Sequence, residues 1–86
     1  MQIVYSSKFA KDYKKLPDNI KDLAEKQEKI FRQNPFDYRL KTHKLKGRLK
    51  ELLSFSIGRK YRIIFEFDKD KEIIYFCAVG DHNIYQ

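Results

Sequence analysis

Residues 49–67 read LKELLSFSIGRKYRIIFEF and contain two β-type runs joined by a short turn. In residues 49–57 apolar side chains recur at alternate positions, as expected for a strand with one buried face. The alternation continues in residues 61–67, where Tyr61, Ile63, Phe65 and Phe67 fall on one face and Arg62, Ile64 and Glu66 on the other. Gly58-Arg59 separates the two runs and predicts a tight hairpin connection. The stretch therefore predicts two neighbouring antiparallel strands.

The flanking sequence predicts one more strand on each side and two helices. Residues 72–79 are almost continuously apolar, which is typical of a strand buried on both faces, and residues 1–5 alternate loosely. Ser6 or Ser7 can cap a first helix, which ends before Pro17. A second helix is predicted from Pro17 to Asn34-Pro35, with an apolar stripe of Ile20, Leu23, Ala24, Gln27, Ile30 and Phe31.

These elements follow one another in the order β-α-α-β-β-β over a single domain, residues 1–86. The order predicts an α+β fold of two layers, in which a helical hairpin packs on one face of a mainly antiparallel four-stranded sheet. Residues 36–48 have no strong period and are predicted to form a loop that leads into a strand. The other face of the sheet is then available to a ligand.

The composition excludes several classes of protein. With 42% hydrophobic and 15% aromatic residues, the chain is too apolar for intrinsic disorder. No apolar run is long enough to span a membrane, and no apolar segment typical of a secretory signal follows Met1. The single cysteine, Cys77, fits a reducing cytoplasm and is predicted to be a core residue. With two histidines and one cysteine, neither a metal site nor another cofactor is expected.

The distribution of charge indicates a polyanionic partner. The chain has 19 Lys and Arg against 12 Asp and Glu, which gives a net charge of +7. Six of the cations fall within residues 39–50, where no acid interrupts them: Arg39, Lys41, Lys44, Lys46, Arg48 and Lys50. A surface that serves only solubility usually mixes both signs, so a block of one sign favours a phosphate-binding edge.

Four side chains have the chemistry needed to cleave RNA through its 2′-hydroxyl, a route that requires a base, an acid and cations at the phosphate. His43 is surrounded by cations, which favour the neutral imidazole that a base needs. His82 follows the last strand, and Arg62 lies within a strand as a candidate phosphate clamp. Tyr85 can stack on a base. The alternatives are two surface histidines, a salt bridge from Arg62 to Glu66 or Glu51, and a tyrosine that packs the terminus.

Four short motifs, taken in order, resemble those of the RelE/ParE superfamily of type II toxins, and most closely its RelE/StbE and YafQ-like branch. They are HKLKG at 43–47, SFSI at 54–57, YRIIF at 61–65 and GDH at 80–82, with Tyr85 after them. The resemblance covers essentially the whole chain. It implies a cytoplasmic mRNA endonuclease that works without metal in the ribosomal A site. It also implies a cognate antitoxin and, through the complex with it, operator DNA as partners, and no membrane.

The resemblance also implies roles for individual residues. His43 matches a loop histidine that acts as a base or orienting group, and Arg62 matches the strand arginine that holds the scissile phosphate. His82 matches a C-terminal acid or charge stabiliser, and Tyr85 matches a terminal aromatic that positions a nucleotide or joins in proton transfer. Lys44, Lys46 and Lys50 fall where the family has RNA-facing cations, and Lys41, Arg48, Arg59 and Lys60 are predicted to bind RNA with them.

Four positions depart from the family's pattern. Ser54 and Ser56 stand where RelE has cationic strand residues, Lys60 stands where YafQ-like toxins carry an acid, and Ala78 stands where YafQ has an arginine. Two alternatives therefore stay open. One is a ParE-like inhibitor of DNA gyrase, against which the pair of histidines argues. The other is a catalytically weakened toxin that only binds its antitoxin.

Overall fold

The computed structural model describes residues 1–47 and 51–81 and contains two helices on one face of a five-stranded sheet. The strands are β1 (Gln2–Tyr5), β2 (His43–Lys44), β3 (Leu53–Ile57), β4 (Tyr61–Phe67) and β5 (Ile73–Gly80). The helices are α1 (Ser7–Lys14) and α2 (Asp18–Gln33), and a short 3₁₀ helix covers Tyr38–Leu40. In this part of the chain no helix is long and apolar enough to cross a bilayer.

The strands lie in the order β1-β5-β4-β3-β2, with β1 parallel to β5 and all other neighbours antiparallel. The predicted α+β class, the two layers and the hairpin of residues 53–67 are confirmed. The prediction of four strands is wrong, because His43–Lys44 forms a fifth strand within the segment expected to be a loop. Two exposed residues carry no apolar alternation, so backbone pairing with β3 rather than a sequence pattern creates this edge strand.

One serine fixes the start of α1 and joins it to the sheet. Ser6 is the N-cap, and its Oγ accepts a hydrogen bond from the Phe9 amide at 3.0 Å. The same hydroxyl donates to the Cys77 carbonyl at 2.9 Å. Cys77 has no partner in the register of β4 with β5, which passes from Ile64 opposite Ala78 to Phe65 opposite Phe76. Ser6 thus satisfies a carbonyl at a β-bulge, where the regular ladder is interrupted.

A cluster of phenylalanines forms the core between the helices and the sheet. Phe31 of α2 is fully buried, and its ring centroid lies 4.7 Å from that of Phe55, 4.9 Å from Phe65 and 5.3 Å from Phe76. These rings come from α2 and the three central strands, so contacts between aromatic rings hold the helical layer on the sheet. The residues predicted to share a face of β4, Ile63 and Phe65, both belong to this core.

The other face of the sheet has a much smaller apolar cover. Leu45, Ile64 and Ala78 form a buried cluster there, with Leu52 and Cys77 packed against it. Cys77 is only half-buried, so the prediction that it is a core residue holds in part, and its burial raises the pKa of the thiol. Arg62 lies on this same face, outside the cluster.

Candidate nucleic-acid interface

Arg62 is the second residue of β4 and projects from the face opposite the helices, where groups on β3 and at the end of the 3₁₀ helix hold it. Its Nε donates to the Oγ of Ser54 at 2.9 Å, and its Nη2 donates to the Lys41 carbonyl at 2.8 Å and lies 3.3 Å from the Ser54 carbonyl. Ser54 is fully buried, whereas Arg62 is half-buried. The alternation of β4 puts Arg62 on this face, and the register places Ser54 on the adjacent strand within its reach.

The salt bridge considered for Arg62 does not form. Among the described residues, neither Glu66 nor Glu51 lies within ion-pair distance of its guanidinium. A serine hydroxyl and two carbonyl oxygens orient the group instead, and none of these acceptors carries a full negative charge. The positive charge of Arg62 is therefore retained at the surface.

His43 lies beside Arg62 although 19 positions separate them in the chain. His43 pairs with Ser54 across the β2–β3 ladder, which brings its imidazole to the rim of the sheet. Its Nδ1 is 3.2 Å from Nη2 of Arg62 and 3.3 Å from the Lys41 carbonyl oxygen. The short strand that sequence analysis missed is thus the element that brings these two predicted site residues together.

The two neighbours of His43 Nδ1 select different tautomers. A carbonyl oxygen only accepts and a guanidinium only donates, so Nδ1 can satisfy one of them at a time. When Nδ1–H donates to the Lys41 carbonyl, the lone pair of Nε2 is available to take a proton. When Nδ1 accepts from Arg62, Nε2 carries the proton and acts as a donor. Movement of Arg62 toward an anion therefore favours the tautomer that can act as a base.

The predicted cations divide into two groups. Lys41 and Arg59 line, together with Arg62, a pocket of about 450 Å³ between α2 and the turn that joins β3 to β4. Lys44, Lys46 and Lys60 are exposed at nearby positions and do not line this pocket. Lys41 has a left-handed backbone conformation, with φ of 52°, at the end of the 3₁₀ helix, and this turn directs its carbonyl to Arg62.

Four further predicted residues, Arg48, Lys50, His82 and Tyr85, lie outside the described residues. Their assignments as RNA-binding or catalytic groups stay predictions. The pair formed by His43 and Arg62 is consequently the part of the predicted catalytic set for which the structure gives a geometry.

Sequence reasoning missed the contribution of α2 to this site. Lys26, Gln27 and Leu23 all line the pocket. The Nε2 of Gln27 donates to the Ser56 carbonyl at 3.0 Å and to the Arg39 carbonyl at 3.3 Å, so it connects α2 to β3 and to the 3₁₀ helix. A signal was present: Gln27 is the one polar member of the apolar stripe of α2, and a buried amide requires a polar partner.

Arg39 also lines the pocket, but its charge is compensated locally. Its Nε donates to Oδ1 of Asp37 at 2.9 Å and its Nη2 to Oδ2 at 3.0 Å, which is a bidentate pair. These hydrogen bonds and one from the Arg39 amide lower the pKa of Asp37 to about 2. Arg39 therefore stabilises the 3₁₀ helix, whereas Lys26, Lys41, Arg59 and Arg62 supply the positive charge of the pocket.

Comparison with known proteins identifies the family of this chain. Residues 1–85 match the family described as the bacterial toxin of the type II toxin-antitoxin system, YafQ. The chain belongs to this family. The resemblance to the RelE/ParE superfamily, closest to its YafQ-like branch, is thereby confirmed. Among curated proteins, none is similar enough to count as a match.

Solved toxin structures share the fold of this YafQ-family chain. Escherichia coli YafQ superposes with a TM-score of 0.79 at 19% identity, over 98% of this chain and 96% of that one. A YoeB/ParE toxin from Agrobacterium tumefaciens gives 0.80 at 16% identity, over 95% and 99%. The E. coli DinJ-YafQ toxin-antitoxin complex gives 0.76 at 20% identity, over 96% and 93%. At these identities the similarity establishes the fold, and the site must be argued from this chain's own residues.

Proposed function

We propose that this YafQ-family toxin is a ribosome-dependent endoribonuclease that cuts mRNA in the cytoplasm by attack of the 2′-hydroxyl on the adjacent phosphate. The observation that carries the proposal is the 3.2 Å approach of His43 Nδ1 and Arg62 Nη2 at the edge of a cationic pocket. This reaction requires a proton acceptor and a cation side by side at one phosphate, and within the described residues no carboxylate pairs with the guanidinium of Arg62.

In the proposed reaction the 2′-oxygen forms a bond to phosphorus, and the bond between phosphorus and the 5′-oxygen breaks. His43 takes the proton of the 2′-hydroxyl through Nε2, while Arg62 binds the non-bridging oxygens of the phosphate and stabilises their growing charge. His82 or Tyr85 protonates the leaving 5′-oxygen. The products are a 2′,3′-cyclic phosphate and a 5′-hydroxyl, so atoms and protons balance without another reactant.

We also propose that a cognate antitoxin binds and neutralises this chain. Membership in a family of type II toxin-antitoxin systems supports this partner, and the E. coli member YafQ occurs in a complex with DinJ. Operator DNA, reached through the antitoxin complex, is a further proposed partner. Co-expression with the product of a neighbouring reading frame, followed by size-exclusion chromatography of the pair, tests the antitoxin directly.

Primer extension on mRNA in a reconstituted translation reaction tests the nuclease. We expect codon-phased cuts that require ribosomes, disappear in His43→Ala and weaken strongly in Arg62→Lys. Arg32→Lys is the matched control, because Arg32 lies on α2 and contacts Glu28 and Tyr5, outside the site. A His82→Ala variant tests the proposed acid in the same assay.

Two outcomes would overturn this assignment. Undiminished cutting by His43→Ala would exclude His43 as the base. A folded wild-type chain that cuts nothing would exclude the nuclease, and a supercoiling assay with DNA gyrase would then separate a ParE-like inhibitor from a toxin that only binds its antitoxin.

A further inference from the structure

The cationic pocket extends beyond the pair of residues assigned to the scissile phosphate. It is bounded by α2, by the 3₁₀ helix and by the turn between β3 and β4, and its volume of about 450 Å³ is large enough for one nucleotide. Five of the side chains that line it are Lys or Arg, namely Lys26, Arg39, Lys41, Arg59 and Arg62. Among the described residues, no Asp or Glu lines it.

Most of this charge has no partner within the described part of the chain. Asp37 compensates Arg39, but none of Lys26, Lys41, Arg59 and Arg62 lies within ion-pair distance of a described carboxylate. Like charges that face one concavity repel each other, and the repulsion is relieved when an anion enters. The pocket therefore has the electrostatics of an anion site.

The pocket is also held in shape before any ligand binds. Gln27 links α2 to the Ser56 and Arg39 carbonyls, and the hydroxyl of Ser56 donates to the Gly58 carbonyl at 3.0 Å, which fixes the start of the turn. Arg59 follows directly in that turn, and Lys26 precedes Gln27 on the helix. A preformed site loses less conformational entropy on binding than a flexible one does.

Arg62 and Lys41 belong to both parts of the site. The guanidinium of Arg62 contacts His43 on one side, and its side chain lines the pocket on the other. A nucleic-acid strand with its scissile phosphate at Arg62 and His43 would reach the pocket with an adjacent phosphate. The shared arginine thus makes the pocket a continuation of the cleavage site along the strand.

We propose that this pocket binds the RNA phosphate next to the scissile one, with Lys26 and Arg59 as the additional ligands. The inference rests on the proposed function for the identity of the strand. It adds a positioning role for α2, a helix outside the predicted basic block, and it requires a substrate with at least two consecutive phosphates.

The test is binding of a 2′-O-methyl RNA tetranucleotide, which the chain cannot cut, measured by fluorescence anisotropy at several salt concentrations. Lys26→Gln and Arg59→Gln should each weaken binding several-fold and reduce the slope of log K against log salt by about 0.7, the value for one phosphate on a single strand. Lys29→Gln is the matched control, because Lys29 is also exposed on α2 but lines a separate groove with Glu25 and Glu28. A dinucleoside monophosphate, which has one phosphate, should bind Lys26→Gln and wild type equally.

Equal effects of Lys26→Gln and Lys29→Gln on the tetranucleotide would overturn the proposal. Loss of antitoxin binding by Lys26→Gln with RNA binding intact would also overturn it and assign the pocket to an acidic peptide. The nuclease is tested separately: Lys26-dependent binding by a chain that cuts no mRNA would keep the phosphate site and reject the nuclease. Cleavage that is unchanged in Lys26→Gln and Arg59→Gln would keep the nuclease and reject the phosphate site.

Discussion

Replacing Ser54 by Ala tests whether a buried hydroxyl positions the proposed catalytic arginine. The change removes the acceptor that lies 2.9 Å from Nε of Arg62. A hydrogen bond that involves a charged group contributes about 1.5–3 kcal/mol to stability. Arg62 is half-buried, so water can partly replace the lost acceptor, and we expect the low end of this range, about 1.5 kcal/mol. In a chain of 86 residues this lowers Tm by roughly 6–12 °C.

The effect on cleavage should exceed the effect on ribosome binding. In Ser54→Ala, the guanidinium of Arg62 keeps its charge but loses one of the contacts that orient it beside His43. We expect the cleavage rate at saturating ribosomes to fall roughly tenfold, which corresponds to about 1.4 kcal/mol of transition-state stabilisation. The ribosome concentration for half-maximal rate should change little. Ser54→Thr keeps the hydroxyl and should restore most of the rate, although its extra methyl group in a buried site still lowers Tm.

A double-mutant cycle with Arg62→Ala decides whether the loss acts through the arginine. If it does, Ser54→Ala should destabilise the Arg62→Ala background far less than the wild type, because the shared hydrogen bond is already absent. The same destabilisation in both backgrounds, or an unchanged cleavage rate in Ser54→Ala, would refute the reasoning.

Three further predictions concern the frame of the site. Gly58→Ala should lower the free energy of unfolding by about 1–2 kcal/mol in urea titrations, because φ is +83° and the new Cβ would lie 3.2 Å from Leu23 Cδ1; wild-type stability would mean that the turn adapts freely. Phe31→Ala removes a fully buried ring from the aromatic core and should cost about 3–5 kcal/mol, so a loss below 2 kcal/mol in the same titration would contradict the packing argument. Asp37 should titrate near pH 2 by NMR, since hydrogen bonds from Arg39 lower its pKa to about 2. The stabilisation that this pair contributes is present above pH 3.8, the ordinary value, and disappears as the pH falls through 2, so an inflection near pH 4 would contradict the pairing.

The fold was predictable where the side-chain pattern and the backbone structure agree. Residues 61–67 alternate cleanly between apolar and polar positions, and β4 covers the same residues. The third strand begins at Leu53 rather than at residue 49, because Glu51 is in a turn. Strand β2 could not be predicted, since two exposed residues leave no periodic signal and form a strand only through pairing with β3.

The sequence singled out two residues of the candidate site but not their arrangement. His43 and Arg62 were identified from residue type and motif, while their distance depends on the register of two strand pairs. The contributions of Lys26 and Gln27 depend on where α2 packs against the sheet, which local sequence does not encode. Gln27 did carry a signal as a polar residue in an apolar stripe, because a polar group that is taken out of water needs a hydrogen-bond partner.

A comparison of Arg39 and Arg62, two of the three arginines that line the pocket, shows why Ser54 suits this position. Arg39 is held by the Asp37 carboxylate, which orients it but cancels its charge. Arg62 is held by a hydroxyl and by carbonyl oxygens, which orient it and leave its charge to attract an anion. A carboxylate at position 54 would give Arg62 a stronger partner and would compete with a phosphate for the same guanidinium. The serine that departs from the family's pattern is therefore compatible with a working phosphate clamp, because it supplies orientation without neutralisation.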